Sequence, residues 1–95
     1  MTAYVIVRIQ VDDPEKFQKY REAVAPNIKA FGGGYAVRGS EIEVLEGSDD
    51  GRRLVVLEFP SKEQASTWWN SPEYAEVKAL RKDAGSLDAI LVEGV

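Results

Sequence analysis

Residues 3–11 constrain the fold most, because their side chains divide into two unlike faces. The segment A-Y-V-I-V-R-I-Q-V is rich in the β-branched residues that favour strands. Alternate residues of a strand point to opposite faces. The segment therefore predicts a strand with helices on its wholly apolar face and partly polar surroundings on its mixed face. The apolar face comprises Ala3, Val5, Val7, Ile9 and Val11, and the mixed face comprises Tyr4, Ile6, Arg8 and Gln10.

A helix is predicted after this strand. Asp12-Asp13-Pro14 is a start signal, since aspartate can cap a helix and proline is tolerated at its first position. Pro26 lies inside the helical pattern and predicts a kink or a restart. The run Gly32-Gly33-Gly34 predicts the end of the helix, because helices often end on a left-handed glycine. An apolar stripe follows the helical period at Phe17, Tyr20, Val24, Ile28 and Phe31.

Two further strands are predicted around a turn. Residues 35–46 indicate the second strand, with a bulge at Gly39, and residues 52–60 indicate the third. Residues 47–51, G-S-D-D-G, have the composition of a turn. In the third strand, Val55, Leu57 and Phe59 share an apolar face. Arg8 and Glu58 are lone charges on the mixed faces of their strands, so they are expected to pair if the strands are neighbours.

The stretch from residue 58 to residue 81 predicts a helix that breaks and restarts. Ser61 and Gln64 fit a capping box. Asn70-Ser71 interrupts the helix, and Pro72 restarts it. Residues 86–93 then indicate a fourth strand. The order β-α-β-β-α-β predicts one α+β domain over residues 1–95, with a ferredoxin-like, four-stranded antiparallel sheet that carries its helices on one face.

The opposite face of that sheet is too apolar to remain in water, so we expect a homodimer that encloses an α+β barrel. The chain has no cysteine and no histidine, which argues against disulfides, thiolate metal sites and histidine-ligated haem. A net charge of −4 argues against nucleic acid as a partner. No apolar run approaches the roughly 20 residues of a membrane span. The sequence thus predicts a cytoplasmic protein without a metal or cofactor.

Six short blocks along the chain carry a resemblance. They are Arg38-Gly39, Leu45-Glu46-Gly47, residues 58–61 (E-F-P-S), residues 69–74 (W-N-S-P-E-Y), Arg81 and Val92-Glu93-Gly94. In this order they resemble the bacterial family named domain of unknown function 1330, in the dimeric α+β barrel superfamily. The resemblance covers nearly the whole chain and implies a ferredoxin-like dimer. The superfamily includes cofactor-free monooxygenases and isomerases, so the resemblance also implies a ligand cleft between helices and sheet.

Two functions of different class follow. The first is a cofactor-free enzyme, an isomerase or monooxygenase, acting on a small hydrophobic or aromatic acid. The second is a non-catalytic dimeric module that binds a metabolite or a protein. Both depend on residues of the two predicted helical regions and of the sheet. We take Tyr20, Glu58 and Arg81 as candidate catalytic groups, and Arg38, Trp68, Trp69, Tyr74 and Arg81 as candidate ligand-binding groups.

Each candidate also has a structural interpretation. Arg81 could hold a carboxylate with its planar fork of donors or lie at the edge of the apolar stripe. Tyr20 and Tyr74 could donate to an oxyanion or lie at the margin of the core. Glu58 could act as a base if burial raised its pKa, or pair with Arg8 or Arg38. Adjacent tryptophans on a helix point about 100° apart, so one of them is expected to pack in the core and the other to wall a pocket or an interface.

Overall fold

The computed structural model describes residues 1–39 and 41–95, and these contain four strands and three helices in the order β-α-β-β-α-α-β. The described strands form one antiparallel sheet in the order β2-β3-β1-β4, with β1 at its centre. The predicted α+β, ferredoxin-like fold is confirmed. The elements are β1 (Ala3–Val11), α1 (Pro14–Ala30), β2 (Gly34–Arg38), β3 (Arg53–Phe59), α2 (Lys62–Trp69), α3 (Pro72–Ala79) and β4 (Gly85–Glu93).

The core lies between the helices and one face of the sheet, which we call the inner face. Val5, Val7 and Ile9 of β1 are buried there, as the apolar parity predicts. Leu57 and Phe59 extend the same buried surface on β3. The helices cover this surface with the predicted stripe of α1 and with aromatic side chains from α2 and α3. The buried helical residues are Phe17, Tyr20, Val24, Ile28, Ala65, Trp68 and Tyr74.

Helix α1 begins and ends where the sequence predicts. The Asp13 carboxylate accepts a hydrogen bond from the backbone N–H of Lys16. At the other end Gly32 adopts a φ of 83°, and Gly33 N–H donates to the carbonyl of Ile28 at 3.0 Å. This is a Schellman ending, which needs a left-handed residue and explains the glycine. Of the kink or restart predicted at Pro26, the restart is wrong, because α1 continues through Pro26 as one helix. Pro26 is exposed, so the carbonyl that lacks its partner can be reached by water.

The predicted break between α2 and α3 is confirmed, and it is built around Ser71. The Ser71 hydroxyl accepts a hydrogen bond from Tyr74 N–H at 3.0 Å and donates one to the carbonyl of Trp68 at 2.7 Å. One buried side chain thus satisfies the end of α2 and the start of α3. Ser61 caps α2 by accepting from Gln64 N–H, as predicted. Because α3 ends at Ala79, Leu80 lies beyond the helix and is 39% exposed.

Strand β2 is shorter than predicted. It ends at Arg38 rather than at residue 46, because Gly39 adopts a φ of 73° and turns the chain away from β3. The bulge expected at Gly39 lies earlier, as a register shift between Tyr35 and Val37. Residues 41–46 pair with no strand within the described part of the chain, and Leu45 is 90% exposed. Ser40, which falls in the predicted strand, lies outside the described residues.

The expected pairing of Glu58 with Arg8 or Arg38 is wrong. Glu58 is exposed and stands opposite Tyr4 and Gly34, whereas Arg8 stands opposite Leu54. Four positions therefore separate Arg8 and Glu58 along the ladder. Arg8 instead belongs to a network of ion pairs that links the turn before β3 to the sheet. Its ion pairs are Arg8 with Asp49 and Asp50, both at 3.2 Å, and Arg52 with Asp50 at 2.9 Å and with Asp88 at 2.6 Å.

This network predicts a small loss of stability in acid. Hydrogen bonds from the backbone and guanidinium of Arg52 lower the pKa of the Asp50 carboxyl, and the charge of Arg8 adds to the effect. A lowered folded-state pKa stabilises the fold above the unfolded value of about 3.9, and this contribution is lost as the pH falls through the folded pKa. Asp50→Asn is therefore expected to lower the melting temperature at pH 7 by at most a few degrees, since the site is exposed.

Thermal unfolding followed by circular dichroism at pH 7 and at pH 2.5 checks this expectation. The difference between Asp50→Asn and the natural protein should shrink at the lower pH. Glu43→Gln is the matched control, because Glu43 is exposed and forms no ion pair within residues 1–39 and 41–95. A difference that stays the same at both pH values would contradict the assignment to Asp50.

The opposite face of the sheet, which we call the outer face, carries apolar side chains in a row across the strands. Tyr4, Ile6 and Val56 are half-buried there, while Ile90 is 57% and Val92 is 38% exposed. None of the helices in the described ranges is both long and apolar enough to span a membrane. Dimerisation and cytoplasmic localisation stay predictions from the sequence.

Candidate functional site

A cavity of about 250 Å³ lies between α1 and the inner face of the sheet. Its interior is mostly aliphatic and aromatic, and its polar groups are phenols and guanidiniums. An engineered apolar cavity of about 150 Å³ holds benzene. The volume here thus suits one aromatic ring with substituents. The lining residues are Val7, Ile9, Phe17, Tyr20, Arg21, Val24, Ile28, Tyr35, Arg38, Gly39, Arg53, Val55, Leu57, Trp68, Trp69, Tyr74 and Leu87.

Two phenols form a hydrogen-bonded pair in the deep wall of this cavity. Tyr20 on α1 and Tyr74 on α3 are 8% and 1% exposed, and their Oη atoms are 3.0 Å apart. Each phenol has one hydroxyl hydrogen, and the bond between them uses one of the two. The other hydrogen has no acceptor among residues 1–39 and 41–95. The pair can therefore donate one hydrogen bond to an oxygen of a bound molecule.

The Tyr20 phenol stays protonated at any ordinary pH. Burial raises its pKa far above the usual tyrosine value, and the neighbouring Tyr74 hydroxyl raises it further. The positive charge of Arg81 opposes this shift without reversing it. A phenol with such a pKa cannot serve as a general base near neutral pH, but it can donate a hydrogen bond to developing negative charge.

Arg81 lies behind Tyr20 rather than in the cavity wall. Its Cζ atom is 5.4 Å from the centroid of the Tyr20 ring, a cation–π distance. Its Nε atom is buried and has no hydrogen-bond partner in the described ranges. The described lining of the cavity does not include Arg81. The position of Arg81 therefore suits the orientation of Tyr20 better than direct contact with a ligand.

Guanidinium groups surround the mouth of the cavity. Register places Arg53 opposite Ile9 and Arg38 opposite Val55, so both arginines lie on the inner face at the same end of the sheet. Arg21 of α1 lines the cavity beside them. In the described ranges these three arginines form no ion pair with a carboxylate. The mouth is therefore positively charged in a chain whose net charge is negative.

Tyr35 places a phenol at the mouth of the cavity. It lies on the same inner face, opposite Leu57, and Arg38 Cζ is 4.5 Å from the centroid of its ring. Partial burial raises the pKa of the Tyr35 hydroxyl, while the charges of Arg38 and Arg21 lower it. The Arg38 and Arg21 guanidiniums are therefore both close enough to Tyr35 to affect the same hydroxyl.

The two tryptophans divide as the helical geometry predicts. Trp68 is 1% exposed and donates its indole N–H to Asn27 Oδ1 at 2.7 Å. Trp69 is half-buried, and Lys78 Nζ lies 5.0 Å from its ring centroid. Their rings pack edge to face with centroids 5.8 Å apart. Both line the cavity, Trp68 as part of the core and Trp69 as a more exposed wall.

The structure brings five of the seven candidate residues together in one cavity: Tyr20, Arg38, Trp68, Trp69 and Tyr74. Arg81 is next to Tyr20, which lines the cavity, but does not itself line it. Glu58 lies apart, in a shallow depression beside the glycine run, and is not positioned to act with them.

The sequence reasoning missed Arg21, Tyr35 and Arg53. One signal could have found Arg53. It has the same parity as Val55 and Leu57, and it is therefore a charged residue on an otherwise apolar strand face. Arg21 directly follows a residue of the apolar stripe, so it lies at the margin of the buried helix face.

A family model described as Domain of unknown function (DUF1330) matches residues 2–95. The chain belongs to this family. The match covers the cavity, the mouth and the phenol pair, so the whole site belongs to the DUF1330 domain. No curated protein is significantly similar to the chain in sequence.

Solved structures share the fold at low identity. A protein of unknown function from Rhodopseudomonas palustris is 17% identical, with a TM-score of 0.77 over 99% of this chain and 82% of that chain. SnoaB, a cofactor-independent oxygenase from Streptomyces nogalater, is 13% identical, with a TM-score of 0.71 over 99% and 93%. The de novo designed protein Foldit4 is 16% identical, with a TM-score of 0.64 over the full length of both chains. An oxygenase and a designed protein share this architecture, so the likeness shows the fold alone.

Proposed function

We propose that this DUF1330 protein is a cofactor-free enzyme, of isomerase or monooxygenase type, that acts on a small hydrophobic or aromatic acid in the cavity. The observation that supports this most is an apolar cavity of about 250 Å³ whose deep wall contains a phenol hydroxyl that is free to donate a hydrogen bond. Apolar cavities with a few convergent polar groups are the usual form of small-molecule sites. The oxygenase SnoaB shares the fold, which makes this reaction class a reasonable first choice.

In this proposal the Tyr20–Tyr74 pair stabilises negative charge on a substrate oxygen. One hydroxyl donates to the enolate or phenolate oxygen that forms when the substrate loses a proton, and the other hydroxyl orients the donor. Trp69 and the aliphatic wall hold the ring. Arg81 keeps the Tyr20 ring in place from behind. No Asp or Glu carboxylate lines the described part of the cavity, so the substrate must be acidic enough to lose its proton to water.

The missing carboxylate favours a second candidate, a non-catalytic module that binds the same class of metabolite. Both candidates use the same cavity, and they differ in whether the bound molecule is converted to a product.

In either case we propose a homodimer formed through the outer face, supported by the exposure of Ile90 and Val92. Ile90→Lys is expected to shift the protein toward monomers in analytical ultracentrifugation. Lys82→Glu is the control, because Lys82 is exposed in the turn between α3 and β4. An unchanged dimer in Ile90→Lys would contradict this interface.

Tyr74→Phe is expected to lower turnover by about 10²-fold and substrate affinity only severalfold, because it removes a donor that acts mainly on developing charge. The measurement combines mass spectrometry of products from hydroxylated benzoic and phenylacetic acids with isothermal titration of the same compounds. Tyr4→Phe is the matched control, since Tyr4 is a half-buried phenol on the outer face.

Two outcomes decide between the candidates. Products whose formation depends on Tyr74 but not on Tyr4 support the enzyme. Saturable binding of these acids with no product in air or under nitrogen contradicts the enzyme and supports the binding module.

A further inference from the structure

The mouth of the cavity has the chemistry of an anion site. Arg38 and Arg53 are exposed and Arg21 is half-buried, while the phenols at the deep end are almost fully buried. The positive groups therefore meet solvent, and the neutral donor lies inside. A ligand that satisfies both ends has its charge at one end and a neutral oxygen at the other.

Aromatic rings hold two of these guanidiniums in place. Arg21 Cζ lies 5.1 Å from the centroid of the Phe17 ring, and Arg38 Cζ lies 4.5 Å from that of Tyr35. A guanidinium over a ring still has free N–H groups along its planar edge, which match the two oxygens of a carboxylate. The chain has 16 Asp and Glu residues, yet none pairs with these arginines in the described ranges.

We infer that the two ends of the cavity bind opposite ends of one ligand: a carboxylate at Arg21, Arg38 and Arg53, and a carbonyl or hydroxyl oxygen at the Tyr20–Tyr74 pair. This rests on the proposed function and narrows its ligand to a monocyclic aromatic acid with an oxygen substituent opposite the carboxylate. The cavity volume sets the limit of one ring. The mouth, and not Arg81, provides the contact with the anion.

Three probes test the two ends separately in isothermal titration. They are 4-hydroxybenzoate, its methyl ester, which lacks the charge, and benzoate, which lacks the distal oxygen. The natural protein is expected to bind the acid at least tenfold more tightly than the ester and severalfold more tightly than benzoate. Because the mouth is exposed, the affinity for the acid should fall as sodium chloride is raised, and that for the ester should not.

Two variants assign the ends to residues. Arg38→Gln is expected to remove a large part of the preference for 4-hydroxybenzoate over the ester while leaving the affinity for the ester unchanged, since Arg21 and Arg53 remain. Tyr74→Phe should remove the difference between 4-hydroxybenzoate and benzoate. Lys19→Gln is the matched control, because it removes the same charge from an exposed position on α1, two residues from Arg21. Lys19→Gln is expected to bind all three probes as the natural protein does.

The results separate this inference from the proposed function. Equal binding of the acid and the ester overturns the inference and leaves the proposed cavity standing. Equal losses in Lys19→Gln and Arg38→Gln also overturn it, since the charge effect would then be general. Failure of all three probes to bind the natural protein contradicts both proposals.

Discussion

Trp68→Ala is expected to lower the free energy of unfolding by about 3–5 kcal/mol, the usual loss for a fully buried aromatic residue. The Trp68 ring centroid is 5.4 Å from that of Phe59 and 4.4 Å from that of Tyr74. Removing it opens a void beneath α2 and leaves the Asn27 side chain without its indole donor. A domain of this size has about 5–15 kcal/mol in total, so much of the stability depends on this one side chain.

Urea unfolding followed by circular dichroism measures this loss, with Trp69→Ala as the control. Trp69 is half-buried and its ring is partly covered by Lys78, so its removal is expected to cost clearly less. Equal losses in the two variants would contradict the assignment of Trp68 to the core and Trp69 to the cavity wall.

Gly33→Ala is the second substitution with a large expected effect, a loss of about 1–3 kcal/mol from overpacking. A Cβ atom at Gly33 would lie 2.5 Å from Cε1 of Phe59 and 2.9 Å from Cγ2 of Ile28. Both neighbours are buried side chains, so they have little room to move. The glycine is therefore required by the close approach of the chain to the core.

The adjacent glycine provides a matched control for this prediction. A Cβ atom at Gly34 meets no atom within 4 Å, and Gly34→Ala is expected to change stability little. The measurement is again the free energy of unfolding in urea. Gly33→Ala is expected to cost less in a Phe59→Leu background than in the natural protein, because the smaller side chain leaves room for the added methyl group. A similar loss at Gly33 and Gly34 would show that the cost arises from backbone conformation instead.

The parts of the fold that follow from local chemistry could be predicted from the sequence. The alternation of side chains in residues 3–11 predicted which face of β1 is buried, because one face of that strand has no polar residue. Ser71-Pro72 gave the start of α3 because the serine hydroxyl and the proline ring both act within one turn. In each case the determining contacts lie within a few residues of one another.

The site depends on register, which local patterns do not contain. Arg38 and Tyr35 differ in parity, yet a register shift between Tyr35 and Val37 brings both to the inner face. The pairing of Glu58 with Arg8 failed for the same reason, because neighbouring strands do not by themselves set which residues stand opposite. The hydrogen bond between Tyr20 and Tyr74 joins residues 54 positions apart. The sequence pattern placed Tyr20 on the apolar stripe of its helix but did not identify Tyr74 as its partner.

The central position of β1 has a consequence for folding during synthesis. Its neighbours in the sheet are β3 and β4, and its first residue stands opposite Glu93. The backbone N–H of Gly94 also donates to the carbonyl of Thr2 at 2.7 Å. The first strand of the described sheet thus pairs with the last. While β4 is still within the ribosome, β1 has an unpaired edge and the Leu87 side of the cavity is missing, so the growing chain exposes a bare strand until β4 has left the ribosome.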